Sequence, residues 1–281
     1  LARSRMFILK DKRRYDSAWQ DLLKQAGAPE FLERLAEKAK ALPRARNRSA
    51  KGPQQVNSNK GKYSKRDLSK NVKLPIQSLD QLYAQAAGLD IVLRKRVQGW
   101  AGASGGMFQL LSEKKAYIEA QSEAQESKKP EFARWEDICD DPEKVERVKW
   151  AKIKSVERAM EKLLRSYGGD VSRLLDVCRQ SIIFESIPDM HACLEAILRD
   201  IRANEVEVVR VKNRMDTHYC SGKSAGYRDI AINLRIKTAE TNFLGIDQHI
   251  CELQLILSSF AELKNDEGHR RYVRFRNARG E

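Results

Sequence analysis

Residues 206–212 (VEVVRVK), 227–236 (YRDIAINLRI) and 250–256 (ICELQLI) alternate apolar and polar side chains with a period of two. That is the pattern of half-buried strands. Upstream, residues 181–185 (SIIFE) form a short apolar run that reads as a first strand. Between it and the other three, residues 187–203 repeat Met190, Cys193, Leu194, Ile197 and Ile201 at helical spacing. A basic amphipathic helix over about 258–277 closes the chain. Strand, helix, three strands and helix make an α+β unit with a mixed sheet flanked by helices.

The N-terminal half reads differently. Residues 14–27 place Trp19, Leu22 and Leu23 on one helical face, ending at Gly27. Pro29 opens a second helix, with Phe31, Leu32, Leu35 and Leu42 as its stripe. Ser78 caps a third that runs to about Val97 and ends in Gly99, Gly102, Gly105 and Gly106. These glycines are not a phosphate loop, because no lysine accompanies them and no strand precedes them. Further helices are predicted over 107–126 and 142–166, with no strand signal in this half. The pattern divides the chain into N-terminal helices (1–42), a basic extended tether (43–75), a helical linker region (76–149) and the α+β unit (150–281).

Charge sharpens this division. The 281 residues carry a formal net charge of +14, yet residues 43–75 hold ten Lys and Arg against Asp67 alone, net +9. Residues 1–42 carry +4, which leaves +1 for the remaining 206 residues. The tract is poor in apolar side chains and is expected to be disordered by itself, ordered only by a partner such as a polyanion or an acidic protein surface. A large assembly of protein, RNA or both, engaged through residues 43–75, is the partner this composition suggests. No apolar run approaches the roughly 20 residues that a membrane span requires. Five scattered cysteines without a C-x-x-C pair suit neither a disulfide framework nor a metal cluster, and point to a reducing intracellular compartment. The chain begins at Leu1, as a fragment or processed product does. An organelle remains compatible, since a removed transit peptide leaves no trace.

Four pieces of the C-terminal unit carry chemistry. Lys152 and Lys154 stand two apart ahead of a helical turn. Asp176 precedes the first strand, where a carboxylate stands at the sheet edge. The stretch from Lys223 to Arg228 is a glycine-containing turn with a cation before it and Tyr227 within it. Glu252 and Gln254 share one face of a strand. Two carboxylates on adjacent strands can hold Mg²⁺ together with phosphate oxygens, while lysine and arginine neutralise a transferring phosphoryl group and tyrosine stacks a base. Each residue also has a plain structural alternative. Asp176 could cap a turn or pair with Arg173 or Arg179, Glu252 and Gln254 could be the solvated face of an edge strand, and Tyr227 could be core.

The segments DVCRQSIIF, VVRVKNR, GYRDIAIN and CELQL, followed by GHRRY, resemble the RelA/SpoT nucleotidyltransferase domain in sequence and in order, over about residues 150–275. The resemblance implies a nucleotidyltransferase-like sheet and transfer of pyrophosphate from ATP to the 3′-hydroxyl of GDP or GTP with Mg²⁺. It implies Asp176 and Glu252 as metal-binding and catalytic carboxylates. Lys152, Lys154 and Arg179 would lie on phosphates, Tyr227 on guanine, and Lys223, Arg228, Gln254 and His269 elsewhere among the nucleotide contacts. The sequence departs from the family at several cations. Lys152 replaces an arginine, Arg179 and Ser181 occupy the glycine and arginine positions of the first strand, Ala231 replaces a histidine, Asp229 a serine and Ile256 an arginine. The hydrolase partner domain is missing, so no alarmone hydrolysis is expected. The sequence thus supports two functions: a (p)ppGpp synthetase-like enzyme, or a catalytically degenerate subunit anchored by its basic tract.

Overall fold

In a computed structural model, residues 2–45, 52–57, 75–111 and 130–264 are described. The fold is α+β. A six-stranded mixed sheet has the order β2-β1-β3-β6-β5-β4. Its strands are β1 (Met107–Leu110), β2 (Glu131–Arg134), β3 (Arg179–Phe184), β4 (Val206–Asn213), β5 (Ile230–Ile236) and β6 (Cys251–Leu257). Strands β3 and β6 are parallel, and the other neighbours are antiparallel. The four C-terminal strands lie where the apolar run and the three period-two runs predict, within a few residues at each end. Strand β6, expected to be eligible as an edge, is interior, so Glu252 and Gln254 face other strands on both sides.

Helix α1 (Ala2–Leu23) and α2 (Ala28–Ala41) precede α3 (Leu79–Gly102), and α7 (Ile187–Arg202) links β3 to β4. Helix α7 begins at Ser186, whose hydroxyl accepts from the Asp189 N–H, and Pro188 lies in its first turn. It buries Met190, Cys193, Leu194 and Ile197 against the sheet, and α2 covers its outer side. One continuous apolar core runs from Trp19 and Leu22 of α1 to Phe260 in the short helix Ser258–Ala261.

Three helical expectations are corrected. Helix α3 passes Gly99 and ends at Gly102, because Trp100 and Ala101 are buried and the Trp100 indole donates to Asp200 of α7 at 2.9 Å. Packing outweighs the roughly 1 kcal/mol helical cost of glycine. Residues 107–110 form β1, not the start of a helix, with Phe108 between Trp135 and Trp150; the rest of that expected helix, from 112, lies outside the described residues. The long helix over 142–166 is two pieces, α5 (Pro142–Glu146) and α6 (Val156–Tyr167), after the short α4 (Trp135–Ile138). The intervening segment is extended because it bonds to the sheet: Lys149 N–H to Gln109 C=O at 2.8 Å and Lys154 N–H to Val177 C=O at 3.0 Å. The buried amide of Gln180 also accepts from Ala151 N–H at 3.0 Å.

Within the basic tract, the described residues 52–57 are not a loose tether. Gln55 is fully buried, and Val56 pairs with Pro75. Ala45 N–H donates to Val208 C=O at 2.7 Å, so the chain leaving α2 covers part of the β4 edge. Residues 46–51, 58–74 and the expected closing helix beyond 264 lie outside the described residues.

Gly106 joins α3 to β1 at the tightest contact in this layer. A Cβ there would lie 2.6 Å from Ile182 Cγ2 and 2.8 Å from Ala101 Cα. Gly106→Ala is therefore expected to destabilise the protein by about 1–3 kcal/mol through overpacking, read as a lower midpoint in thermal unfolding. An unchanged midpoint would show that α3 and β3 are not packed this closely.

Candidate functional site

The register of the sheet builds the site. Opposite residues share a face, so Arg179, Glu252, Asn233 and Arg210 form one row across β3, β6, β5 and β4. Ser181, Gln254, Ala231 and Lys212 form the next row on that face. The other face carries Ile182, Leu253, Leu255 and Ile232, all buried in the core. The polar face is held by its own bonds: Arg210 Nε donates to Asn233 Oδ1 at 2.9 Å, and Gln254 Nε2 donates to Glu252 Oε1 at 3.2 Å.

Asp176 stands just before β3. Its Oδ2 receives both Lys154 Nζ and Lys162 Nζ at 2.9 Å, while its Oδ1 is buried and accepts no hydrogen bond from the described residues. Lys154 comes from the extended segment, whose Lys154 C=O accepts from the Tyr83 hydroxyl at 2.7 Å. Lys162 comes from α6, which starts at the Ser155 cap. Asp176 therefore pairs with two lysines, and with neither Arg173 nor Arg179.

Burial alone raises the Asp176 carboxyl pKa, but the charges of Lys162 and Lys154 outweigh it and hold the group well below the ordinary carboxylate range. Burial lowers Lys154, whose attraction to Asp176 is opposed by Arg179 and Lys162. For Lys162 the same burial is outweighed by Asp176, Tyr167 and Glu252, and its pKa rises. The two lysines thus differ although they touch one oxygen at one distance. Glu252 moves the opposite way from Asp176: burial first, then the charges of Asp176 and Asp229, raise it.

The remaining expected site residues divide. Arg179 is half-buried opposite Glu252, and Gln254 Oε1 accepts from Lys264 Nζ at 3.3 Å. Lys152 is exposed beside the clamp, and Lys223 is exposed on the 3₁₀ turn Ser221–Ser224. Arg228 is buried away from the face: it donates to the carbonyls of Arg214, Asp216 and Tyr219 and lies 3.7 Å from the Trp19 ring centroid. His269 lies outside the described residues.

Tyr227 sits against α1. Tyr15 meets its ring edge-on at 5.9 Å and stacks on Phe260 at 6.1 Å. The preceding Gly226, at φ 88°, leaves no room for a Cβ, which would fall 2.7 Å from Tyr15 Cβ and 3.0 Å from Lys12 C=O. Burial, then the Asp229 carboxylate, raises the Tyr227 phenol well above its ordinary value. The ring is engaged by the chain's own aromatic side chains.

Sequence reasoning missed Lys162, Asn233 and the cations in and just after β4. Arg210, Lys212 and Arg214 recur at period two in VVRVKNR, a signal that the strand pattern itself contained. Arg214 pairs with the fully buried Asp229 at 2.5 Å, whereas Arg179 and Lys212 feel Glu252 without an ion pair within 4 Å among the described residues. Burial, then Arg210 and Arg214, lowers the Lys212 ammonium pKa.

Chemically, the face offers cations in excess of carboxylates, suited to a polyanion. Asp176 and Glu252 are hard oxygen donors, the class of group that Mg²⁺ takes together with water and phosphate oxygens; Asp176 Oδ2 is already held by two ammonium groups. Among the described residues no three His, Cys, Asp or Glu side chains converge as a metal cluster. No helix among them is long and apolar enough to cross a membrane. Two shallow concavities of about 300 and 140 Å³ lie elsewhere, between α2 and α7, lined by Arg34, Lys38 and His191 and by Phe31 and Pro188.

No family model matches the chain, and no curated protein matches it. Among solved structures, it is similar to the crystal structure of the complex between the Type VI effector Tas1 and its immunity protein, with 15% identity and a TM-score of 0.35 over 69% of this chain and 74% of that one. A likeness that loose transfers no residue and no activity.

The raised Glu252 pKa sets a test with a definite sign. Below about pH 4.3, the ordinary glutamate value, folded and unfolded chains both hold the proton. Above it the unfolded state ionises first, so stability is lost as pH rises through the folded-state value. Glu252→Gln is expected to raise the unfolding midpoint at pH 7–8, with the gain vanishing near pH 4. A lower midpoint at pH 8 would contradict this electrostatic account.

Proposed function

We propose that this protein is a RelA/SpoT-like nucleotidyltransferase domain whose polar sheet face binds the phosphates of a nucleotide. The chemistry is transfer of pyrophosphate from ATP to the 3′-hydroxyl of GDP or GTP. The observation that carries this reading is the four-strand row of Arg179, Glu252, Asn233 and Arg210, bordered by Asp176 with its two lysines. Arg179 and Lys212, without a close ion pair among the described residues, are the cations a phosphate would engage first. Asp176 and Glu252 are the residues that would hold Mg²⁺, whose charge would offset that of the phosphates. Lys154 and Lys162 already neutralise Asp176, and are positioned to turn toward phosphate oxygens if a cation takes over that role. Glu252, with its raised pKa, is the group suited to accept a proton from an attacking hydroxyl.

One observation favours a second reading, a non-catalytic subunit of a large assembly anchored by residues 43–75, with RNA as one form of polyanion. Helix α1 packs on Gly226 and Tyr227, where the family resemblance expects guanine to stack. Under that reading nucleotide contacts are vestigial, and the net +9 tract gives RNA affinity that falls steeply with salt.

The test is calorimetric titration with ATP, GDP and GTP, with and without Mg²⁺, followed by chromatography of reaction mixtures for a 3′-pyrophosphorylated product. Binding of ATP that weakens about tenfold in Arg179→Met or Lys212→Met, equal to about 1.4 kcal/mol, is expected. Product that disappears in the Asp176→Asn, Glu252→Gln double variant completes the enzyme reading. Nucleotide binding without product favours the second reading, and product that survives the double variant contradicts the assigned site.

A further inference from the structure

The side chain of Gln55 bridges the two segments that carry the carboxylates. Its Nε2 donates to Leu174 C=O at 3.1 Å and to Ile250 C=O at 2.8 Å, and its Oε1 accepts from Ile250 N–H at 2.7 Å. Its backbone is fixed as well: Gln55 N–H donates to Ser172 C=O at 2.7 Å, and its C=O accepts from Ile76 N–H at 3.0 Å. The neighbouring Gln54 donates to Ser172 Oγ at 2.9 Å. Gln55 itself is fully buried.

The placement matters more than the count. Leu174 is two residues before Asp176, and Ile250 is two residues before Glu252. The parallel β3–β6 ladder begins where Arg179 faces Glu252, and Glu252 N–H donates to Cys178 C=O at 3.0 Å. N-terminal to that point the two chains have no ladder of their own. The Gln55 amide, with one acceptor and two donor hydrogens, takes the place of a peptide group and supplies the missing rung. Asn233 adds a second tie, donating to Leu175 C=O at 3.2 Å from the row that holds Glu252.

We propose that Gln55 is a positioning residue for the candidate site: by tying Leu174 to Ile250 it fixes the Asp176 carboxylate relative to the Glu252 carboxylate, and with it the spacing at which the face receives a polyphosphate. The inference rests on the nucleotide-binding reading above. It gives one turn of the basic tract a task inside the fold, separate from any partner that the rest of the tract engages. Gln55 touches neither carboxylate and acts through the backbone of both segments.

The test compares Gln55→Ala and Gln55→Met in the full chain with Trp100→Phe. The last removes the indole donor to Asp200 on the distant α3–α7 contact and serves as a stability control. Methionine keeps the length of the buried side chain and removes its hydrogen bonds, so it reports even if the alanine variant fails to fold. Affinity for ATP with Mg²⁺ is measured calorimetrically at a temperature where each variant is folded by circular dichroism. Gln55→Met is expected to raise the Kd at least tenfold, and Trp100→Phe to leave it within twofold, although both lower the unfolding midpoint. A wild-type Kd in Gln55→Met with a lowered midpoint overturns the proposal and leaves the nucleotide reading intact. Absence of ATP binding in the wild-type chain overturns both.

Discussion

Burying a carboxylate beside a second carboxylate is the constraint around which this domain is arranged. An isolated buried charge is unfavourable by several kcal/mol, and removing one partner of a buried pair typically destabilises by about 3–5 kcal/mol. Asp176 meets that demand with Lys154 and Lys162, both at 2.9 Å. Residues 148–155 run extended before α6 begins, held by backbone hydrogen bonds, and this path brings Lys154 to Asp176 from the segment and Lys162 from the helix that follows. Lys154 must leave the helix to reach Asp176 from one side, and Lys162 must stay on it to reach from the other. The Tyr83 hydroxyl and the Gln180 amide then hold that segment to α3 and β3.

Glu252 shows the same constraint left partly unmet. It lies inside the sheet, between Arg179 and Asn233, and its pKa is raised by burial and by Asp176. Opposite shifts separate the two neighbouring carboxyl groups: Asp176 is held as an anion, and Glu252 takes up a proton more readily than an ordinary glutamate. Around them the β4 cations and Arg179 set a positive field. The overall charge of +14 contributes little to it, since most of that excess resides in residues 43–75. The field at the face comes from where a few side chains are placed, and the long-range charge of the chain acts on attachment.

How much of this could be read from the sequence follows from which interactions are local. The period-two runs located β4, β5 and β6, and the Met190–Ile197 stripe located α7, because each records burial along its own element. The row joining Arg179, Glu252, Asn233 and Arg210 required knowing that β6 lies between β3 and β5. The helical pattern over 142–166 runs on through residues 148–155 because it records only local preference, while that segment's hydrogen bonds go to residues distant in sequence. The residues 107–110 are too few for a strand pattern to exceed the helical signal that follows. Gln55 was invisible for a similar reason: a lone glutamine in a basic, apolar-poor tract carries no sign of a partner almost 200 positions away. Tyr227 is packed against Tyr15 from the opposite end of the chain, a pairing that no local pattern in the sequence records.

Residue-resolved acylation of lysines in the presence and absence of ATP with Mg²⁺ tests the central claim most directly. Lys154 and Lys212 have lowered pKa values and so a larger neutral, reactive fraction than ordinary surface lysines. If nucleotide phosphates occupy the polar sheet face, ATP protects Lys154, Lys162 and Lys212 and leaves Lys38 and Lys40 on α2 unchanged. Protection confined to α2, or equal labelling of Lys154 and Lys212 at saturating ATP, would contradict the account.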